Sequence, residues 1–279
     1  CTMIGTADAV VAVSMDGWVT AFDRQTGAPL LSAPFRLPGA PAASLQVRIP
    51  KFLTRLANRE VNAAFGPTED GLGLFDTILD VIYGNGVNVA NFYAVDPQDD
   101  SIVVAATAPD AQDGQTDGVS RNGALYRLRL ARSDQGARLE IADSYYFSGG
   151  TGSTPTLSAN GQYVVVSDDN GNVITLDRQF KELWRLNVGE QVAASVAVAA
   201  DGQEMFAVTK SDIFKLQHNG KQARIVWRAQ LDAFPGFHNF NALTPTIVAN
   251  GIVVSVGAGR QLGRAQIGTR FGMGLLDRQ

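Results

Sequence analysis

The sequence predicts an all-β fold: a β-propeller of four-stranded antiparallel blades, of which about five are visible and the last is incomplete. Three segments share one pattern, a glycine followed by an alternating strand and by Asp-Arg-Gln: 15–25, 169–179 and 271–279. Asn-Gly and Asp-Gly pairs ahead of other strands supply the positive φ angles of tight hairpin turns. A recurrence of roughly 40 to 60 residues is too long for one hairpin and too short for an independent domain, and it matches a four-stranded blade.

We letter the strands of a blade A to D from the centre outward. The predicted blades cover 1–37, about 91–147, 153–188, 194–231 and 243–279. The last blade has no sequence for its strand D. Because a propeller ring normally closes by pairing the two chain ends within one blade, we expect residues 1–279 to be a partial propeller cut from a longer ring.

Composition excludes several classes of protein. Hydrophobic residues make up 45% of the 279 residues and charged residues 18%, which favours a folded core over disorder. The net charge of −4 gives no electrostatic reason to expect nucleic acid as a partner. No apolar run approaches the roughly 20 residues that cross a bilayer, so no transmembrane segment is predicted.

The single cysteine, Cys1, rules out an internal disulfide framework and a cysteine-rich metal site. Two interpretations of its position remain open. It is either an acylated lipoprotein terminus or an internal residue at which the given sequence happens to start, and we favour the second.

The segment Ala21-Phe22-Asp23-Arg24-Gln25-Thr26-Gly27 resembles the docking motif of PQQ-like (quinoprotein-type) propeller repeats. In that family the aspartate and Thr-Gly cap the turn between strands C and D, and a tryptophan four residues further on packs between blades. The chain departs from the motif at Leu31, which stands at the tryptophan position of blade one, and at Trp184, which comes one place early. We interpret Trp184 and Trp227 as inter-blade packing residues.

The resemblance implies two classes of function. We favour a noncatalytic scaffold that binds a protein or small-molecule ligand at the channel mouth. The alternative is a PQQ-dependent dehydrogenase of alcohols or sugars, or an inactive relative, so PQQ with calcium is a possible cofactor and enzymatic activity stays open. One cysteine cannot form the vicinal disulfide of the alcohol dehydrogenases. The resemblance also implies a periplasmic or extracellular location.

The long connections fall on one face of the predicted propeller, which we call the loop face: the end of the blades where the B-to-C and D-to-A connections emerge. They are 38–90, 109–121, 232–242 and 256–270. The first is predicted to hold two helices, with apolar stripes at Leu53, Ala57, Val61, Ala64 and Phe65 and at Phe75, Ile78, Leu79 and Ile82. This inter-blade insertion is either a lid on its own blade, which we favour, or a partner-binding helix pair.

Candidate site residues are the polar side chains at the entries of the innermost strands, next to the channel mouth. They are Asn88, Asn91, Thr151, Ser153, Gln191, Ser195, His238 and Asn241. The alternative is that they satisfy backbone groups of the loops. No residue is assigned as catalytic or as a metal ligand.

Two loops carry weaker signals. The acids Asp110, Asp113 and Asp117 lack the alternate-residue spacing of an EF-hand, so a solvated acidic loop is favoured over a calcium site. The glycine-rich segment 256–270 contains three arginines that could bind an anion, although a solvated hairpin is favoured. They are Arg260, Arg264 and Arg270.

Overall fold

In the computed structural model, residues 2–43, 51–65, 87, 89, 93–134, 136–150, 153–192, 194–231, 244–262 and 265–278 are described. They form five antiparallel sheets in sequence order, each a meander whose neighbouring strands are consecutive in the chain. The all-β propeller fold is confirmed. The strands of each sheet fall within one predicted blade, except that β8 ends at Ser148, one residue beyond the limit predicted for blade two.

Four of the sheets have four strands and the last has three. Blade one comprises β1 (Thr2–Gly5), β2 (Ala9–Val13), β3 (Trp18–Asp23) and β4 (Phe35–Arg36). Blade two comprises β5 (Tyr93–Val95), β6 (Ile102–Thr107), β7 (Asn122–Ser133) and β8 (Gly136–Ser148). Blade three comprises β9 (Thr156–Leu157), β10 (Val164–Ser167), β11 (Asn172–Leu176) and β12 (Glu182–Asn187). Blade four comprises β13 (Ala197–Val198), β14 (Glu204–Val208), β15 (Asp212–His218) and β16 (Ala223–Gln230). Blade five comprises β17 (Thr246–Val248), β18 (Gly251–Leu262) and β19 (Ala265–Leu276).

Hydrophobic clusters join each blade to the next, because the middle strands are apolar on both faces. Val164 and Val166 of β10 pack against blade two, whereas Val165 of the same strand packs against blade four. Further clusters join blades one and two and blades four and five. Buried apolar surface between blades, at about 25 cal/mol per Å², is the main term that holds them together.

The outermost strand of three blades carries a β-bulge at one repeat position. The register shifts opposite Arg127/Leu128, Thr175/Leu176 and Lys215/Leu216. In each case the extra residue lies on strand D: Ala142, Leu183 or Val226. A bulge bends its strand and increases the local twist.

The ends of the insertion 38–90 contribute to the interface between blades one and two. The Ala40 amide donates to the Ala108 carbonyl at 3.0 Å, and the Thr107 hydroxyl donates to the Ala40 carbonyl at 2.6 Å. Val87 and Val89 are buried in the cluster of these two blades. Between these ends lies one described helix, α1 (Lys51–Phe65), at the place of the first predicted helix. The second predicted helical stripe lies outside the described residues.

The segment 256–270 was expected to be a long B-to-C connection, with a solvated hairpin favoured over an anion site. Its described residues belong to a long hairpin in which β18 pairs with β19 as far as Leu262 opposite Ala265. Glycines alternate there with residues that suit a strand, and backbone pairing across the hairpin compensates for the weak strand preference of glycine. No helix in the described part of the chain is both long and apolar enough to cross a membrane.

Candidate functional site

Three of the eight predicted site residues lie in the described structure, and all three are at the loop face. They are Ser153, Gln191 and Ser195. The other five are outside the described residues: Asn88, Asn91, Thr151, His238 and Asn241. Their roles remain predictions.

Ser153 and Ser195 are buried and bind backbone groups. The Ser153 hydroxyl donates to the Ser167 carbonyl and accepts from the Ser167 amide, both at 3.2 Å. The Ser195 hydroxyl accepts from the Thr154 amide at 2.9 Å. These contacts fix the entries of the innermost strands of blades three and four, as the backbone-satisfying alternative anticipated.

Gln191 is exposed, and its amide donates to the Asp169 carboxylate at 2.7 Å. Asp169 stands in the B-to-C turn of blade three, and its amide donates to the Gly150 carbonyl at 2.8 Å. Although the residue as a whole is exposed, neighbouring atoms desolvate its carboxylate. This desolvation, together with the charge of Asp168, raises the pKa of Asp169.

Similar hydrogen bonds tie the connection between blades three and four to a turn of blade four. The Ser211 hydroxyl donates to the Glu190 carboxylate at 2.6 Å, which lowers the pKa of Glu190. Val192 forms an antiparallel bridge with Thr209 of the B-to-C turn. The connections from blade two to three and from three to four are therefore tied to the turns beside them. The exposed acids Asp169 and Glu190 were missed as site residues, although the Asp-Asp-Asn-Gly turn that begins at Asp168 was visible in the sequence.

Other acids near this face are used within the fold. Asp168 is buried and accepts hydrogen bonds from the amides of Asn170 and Asn172 and from the Asn172 side chain, at 2.7 to 2.9 Å. Asp212 binds Arg228 through two hydrogen bonds of 2.8 and 2.7 Å. Both carboxylates therefore stabilise turns and strand edges and are unsuited to hold a ligand.

The opposite end of the blades carries an ion-pair network at the A-to-B turn of blade two. Arg127 lies 2.9 Å from Asp96, and the two side chains are 1% and 0% exposed. Arg178 of blade three reaches the same carboxylate at 3.1 Å and that of Asp99 at 3.2 Å. The network therefore links two blades through the arginine of the Asp-Arg-Gln repeat.

A second network of this kind joins blades four and five. Glu204 at the start of β14 binds Lys215 at 3.0 Å and also binds Arg278, the arginine of the last Asp-Arg-Gln repeat. Lys215 also donates to the Arg278 carbonyl at 2.6 Å. The aspartates of the repeat have a separate role. Asp23 accepts from the Gln25 and Thr26 amides, which caps the turn after strand C.

The two tryptophans interpreted as inter-blade packing residues lie between blades. Trp184 belongs to the cluster of blades three and four and contacts the ring of His218, with centroids 5.3 Å apart. Trp227 packs on Phe206 in the cluster of blades four and five.

Among the described residues, two cavities can be seen at the end opposite the loop face. One of about 330 Å³ lies between blades one and two, where the pairs Asp8–Arg132 and Asp99–Arg129 line it. The other, about 500 Å³, is an open recess at the rim of blade four lined by Gln203, Gln217, His218, Asn219, Gln222, Ala223 and Arg224. Paired charges and an open shape make neither a strong candidate for a small-molecule site.

Within the described residues, no group of three or more His, Cys, Asp or Glu side chains is arranged to hold a metal ion. In the acidic loop of blade two, Asp110 begins a short 3₁₀ helix and accepts from the Ala111 amide. Asp117 in the same loop forms an ion pair with Arg121 at 2.7 Å.

The fold resembles known propellers. BamB from Moraxella catarrhalis matches 92% of this chain at 14% identity with a TM-score of 0.51, and the match covers 58% of the BamB chain. A structure described as a candidate 6-phosphogluconolactonase from Bacteroides uniformis matches 99% of this chain at 12% identity with a TM-score of 0.52, over 71% of its own length. No protein-family model and no curated protein matches the sequence. The present chain spans less than two thirds of the BamB chain, and at these identities the likeness shows the β-propeller fold alone.

Proposed function

We propose that this protein is a noncatalytic propeller scaffold that binds a protein partner at its loop face. One observation carries the proposal: exposed polar side chains at that face are held in place by hydrogen bonds to neighbouring connections. Asp169 and Gln191 bind each other, and Glu190 is held by Ser211. A surface ordered before binding loses little conformational entropy when a partner docks, which favours affinity.

The negative charge of this surface favours a protein over a nucleic acid as the binding partner. Asp169 and Glu190 place carboxylates at the loop face, and the whole chain carries a net charge of −4. Phosphate groups would be repelled by both. A partner surface with arginine or lysine would be complementary.

The alternative, a PQQ-dependent dehydrogenase, is supported less well. Two of the described carboxylates at the loop face are engaged within the fold, Asp168 by turn amides and Asp212 by Arg228. Trp184 is packed in an inter-blade cluster, where it offers no face for stacking a quinone. The residues that the structure describes therefore do not fit a calcium-bound quinone, and we derive no step through one.

A matched pair of lysines on blade four tests the scaffold proposal. Lys210 is exposed in the B-to-C turn at the loop face, and Lys221 is exposed in the C-to-D turn at the opposite end. Each is replaced in turn by the photocrosslinker p-benzoylphenylalanine, and the protein is irradiated in its native cells. We expect one discrete protein adduct from position 210 and none from position 221. Equal adducts from both positions, or none from 210, would contradict the proposal.

A second experiment separates the two functions. Calcium and PQQ are added to the purified protein, and both quinone binding and dye-linked oxidation of alcohols and sugars are measured. The scaffold proposal expects neither saturable binding nor turnover. A stoichiometric and active complex would favour the dehydrogenase instead.

We also propose that the chain belongs with the PQQ-like repeats and works outside the cytoplasm. The support is the Asp-x-x-Thr-Gly turn at Asp23, whose carboxylate binds the Thr26 amide and hydroxyl as the repeat family implies. Fractionation of the native cells tests the location. Recovery in the periplasmic or membrane fraction is expected, and recovery with cytosolic markers would refute it.

A further inference from the structure

The turn between strands C and D of blade four contains an Asn-Gly pair, Asn219-Gly220, which directly follows His218 at the end of β15. In an Asn-Gly pair the glycine amide can attack the asparagine side chain, because glycine has no Cβ that obstructs the approach. The attack gives a succinimide, which water opens to aspartate or isoaspartate. Asn219 is exposed and lines the open recess at the rim of blade four, so water reaches it.

The buried ring of His218 is oriented so that its unprotonated nitrogen meets the Gly220 amide. Nε2 lies 2.6 Å from the Gly202 carbonyl, which only accepts hydrogen bonds, so Nε2 carries the proton of the neutral ring. Nδ1 is then an acceptor, and the Gly220 amide donates to it at 3.0 Å. The rings of Tyr163 and Trp184 pack against the imidazole, with centroids 5.0 and 5.3 Å away. The imidazole is therefore a fixed base in contact with the proton that the attacking nitrogen must lose.

The side-chain carbonyl of Asn219 receives two hydrogen bonds from the backbone of the same turn. The amides of Lys221 and Gln222 each donate to Asn219 Oδ1 at 3.1 Å. These donors polarise the carbonyl and stabilise the negative charge that develops on its oxygen during the attack. A base, a nucleophile and the donors for an oxyanion are therefore brought together within residues 218–222.

A second Asn-Gly pair, Asn160-Gly161 in the A-to-B turn of blade three, differs from this arrangement at the base. Asn160 is also exposed, and its Oδ1 accepts from the Ser158 hydroxyl at 2.7 Å and from the Gln162 amide at 3.1 Å. The Gly161 amide, however, donates to the Ser158 carbonyl at 2.8 Å, and a peptide carbonyl is not a base at neutral pH. Asn160 is therefore a matched reference for Asn219, because its carbonyl is polarised in the same way.

We propose that Asn219 is a self-modification site, which the folded protein deamidates with His218 as the base. His218 Nδ1 takes the proton of the Gly220 amide while that nitrogen forms a bond to Asn219 Cγ. The proton then passes to the side-chain nitrogen of Asn219, the bond between Cγ and this nitrogen breaks, and ammonia leaves. Water hydrolyses the succinimide at one of its two carbonyls, which gives aspartate or isoaspartate.

Deamidation changes this turn in two ways. It replaces a neutral amide with a carboxylate in the recess that Arg224 also lines, and the isoaspartate product lengthens the backbone between strands C and D. Both changes occur at the end of the blades opposite the loop face. The inference is therefore independent of the partner that we propose at the loop face.

The test compares the two asparagines within one sample of the protein at neutral pH. Peptide mapping by mass spectrometry and enzymatic methylation of isoaspartate measure the rate of deamidation at each. We expect Asn219 to react about 100-fold faster than Asn160, the lower end of the gain from a positioned general base. In concentrated urea the two rates should become similar, because the contacts of His218 are lost. Similar rates in the folded protein would overturn the proposal, and so would a difference that persists in urea.

The base itself is tested with His218→Gln, which keeps a donor for the Gly202 carbonyl and removes the imidazole. We expect this variant to lose the rate advantage of Asn219 over Asn160, whereas Lys221→Ala, which keeps the backbone amide of the turn, should retain it. Circular dichroism checks that both variants are folded. Deamidation of Asn219 in folded His218→Gln as fast as in the parent would overturn the proposal. The comparison in urea needs no variant, so it tests the proposal even if His218→Gln does not fold.

Discussion

Removing either member of the buried pair Asp96–Arg127 should destabilise the protein, and we expect the loss of Asp96 to cost more than the loss of Arg127. Arg127 lies 2.9 Å from Asp96 and 2.7 Å from the Ser101 hydroxyl, and its next carboxylate, Asp143, is 3.6 Å away. Asp96 has a second cation, Arg178, at 3.1 Å. Removing the acid therefore leaves the buried guanidinium only the longer contact with Asp143 at 3.6 Å, whereas removing Arg127 leaves Asp96 with Arg178 at 3.1 Å.

The magnitudes follow from this asymmetry. Breaking a buried pair by removing one partner typically costs about 3 to 5 kcal/mol, and we expect Asp96→Asn to fall in that range. Arg127→Met replaces the side chain with an apolar one of similar length while Asp96 keeps Arg178, so we expect about 1 to 2 kcal/mol. Arg178→Ala removes a cation that is 28% exposed and should cost about 1 kcal/mol or less.

Urea unfolding at pH 7, followed by tryptophan fluorescence and circular dichroism, measures the three costs. The double variant Asp96→Asn/Arg127→Met should cost less than the sum of the single changes, because no unpaired charge remains. A cost for Arg127→Met that exceeds that of Asp96→Asn would refute the reasoning. Strict additivity in the double variant would also refute it.

Three further predictions concern a turn, a phenol and a carboxylate. Gly171→Ala should cost well over the roughly 1 kcal/mol expected for Gly189→Ala in urea unfolding. Both glycines have positive φ, but a Cβ at 171 would lie 2.6 Å from a backbone carbonyl, whereas a Cβ at 189 meets nothing within 4 Å; equal costs would contradict this. Burial raises the pKa of Tyr93 to about 12, against 10.0 when unfolded. Stability should therefore fall as pH rises from 10 to 12, and Tyr93→Phe should reduce that slope; an unchanged slope would contradict the shift. Asp169 has a raised pKa, so its stabilising contribution is present below the unfolded pKa of 3.8 and is lost as pH rises through the folded value. Asp169→Asn should therefore melt higher than the parent at pH 7 and equally at pH 3, by calorimetry; a lower melting temperature at pH 7 would contradict it.

The sequence predicted the blades well because the repeat is a local signal. The Asp-Arg-Gln pattern marked the end of strand C, and Asp23 caps its turn through groups two and three residues away. Asn-Gly and Asp-Gly placed the hairpins for the same reason. The length of the hairpin over 256–270 was not predicted, because the glycines there obscured how far strands B and C continue.

The site was harder to predict because its contacts join separate blades. Gln191 and Asp169 are 22 residues apart, and nothing local to either residue indicates that they meet. Ser195 binds an amide of the blade before it, 41 residues away. Such pairings depend on how neighbouring sheets pack, which one sequence without its fold does not specify.

The bulges on strand D bear on how the protein behaves in concentrated solution. An outermost strand exposes unpaired amides and carbonyls that can pair with an edge strand of another molecule. A bulge interrupts the regular hydrogen-bond register that such pairing requires. Ala142, Leu183 and Val226 place such an interruption on the rims of blades two, three and four. Strand β19 also has a register shift, opposite Ala258/Gly259, but beyond it Phe271, Met273 and Leu275 are exposed at the edge of the sheet. Aggregation during expression of residues 1–279 should therefore start at β19. Polar substitutions in β19 should raise the yield of soluble protein more than polar substitutions in strand D of blades two, three or four.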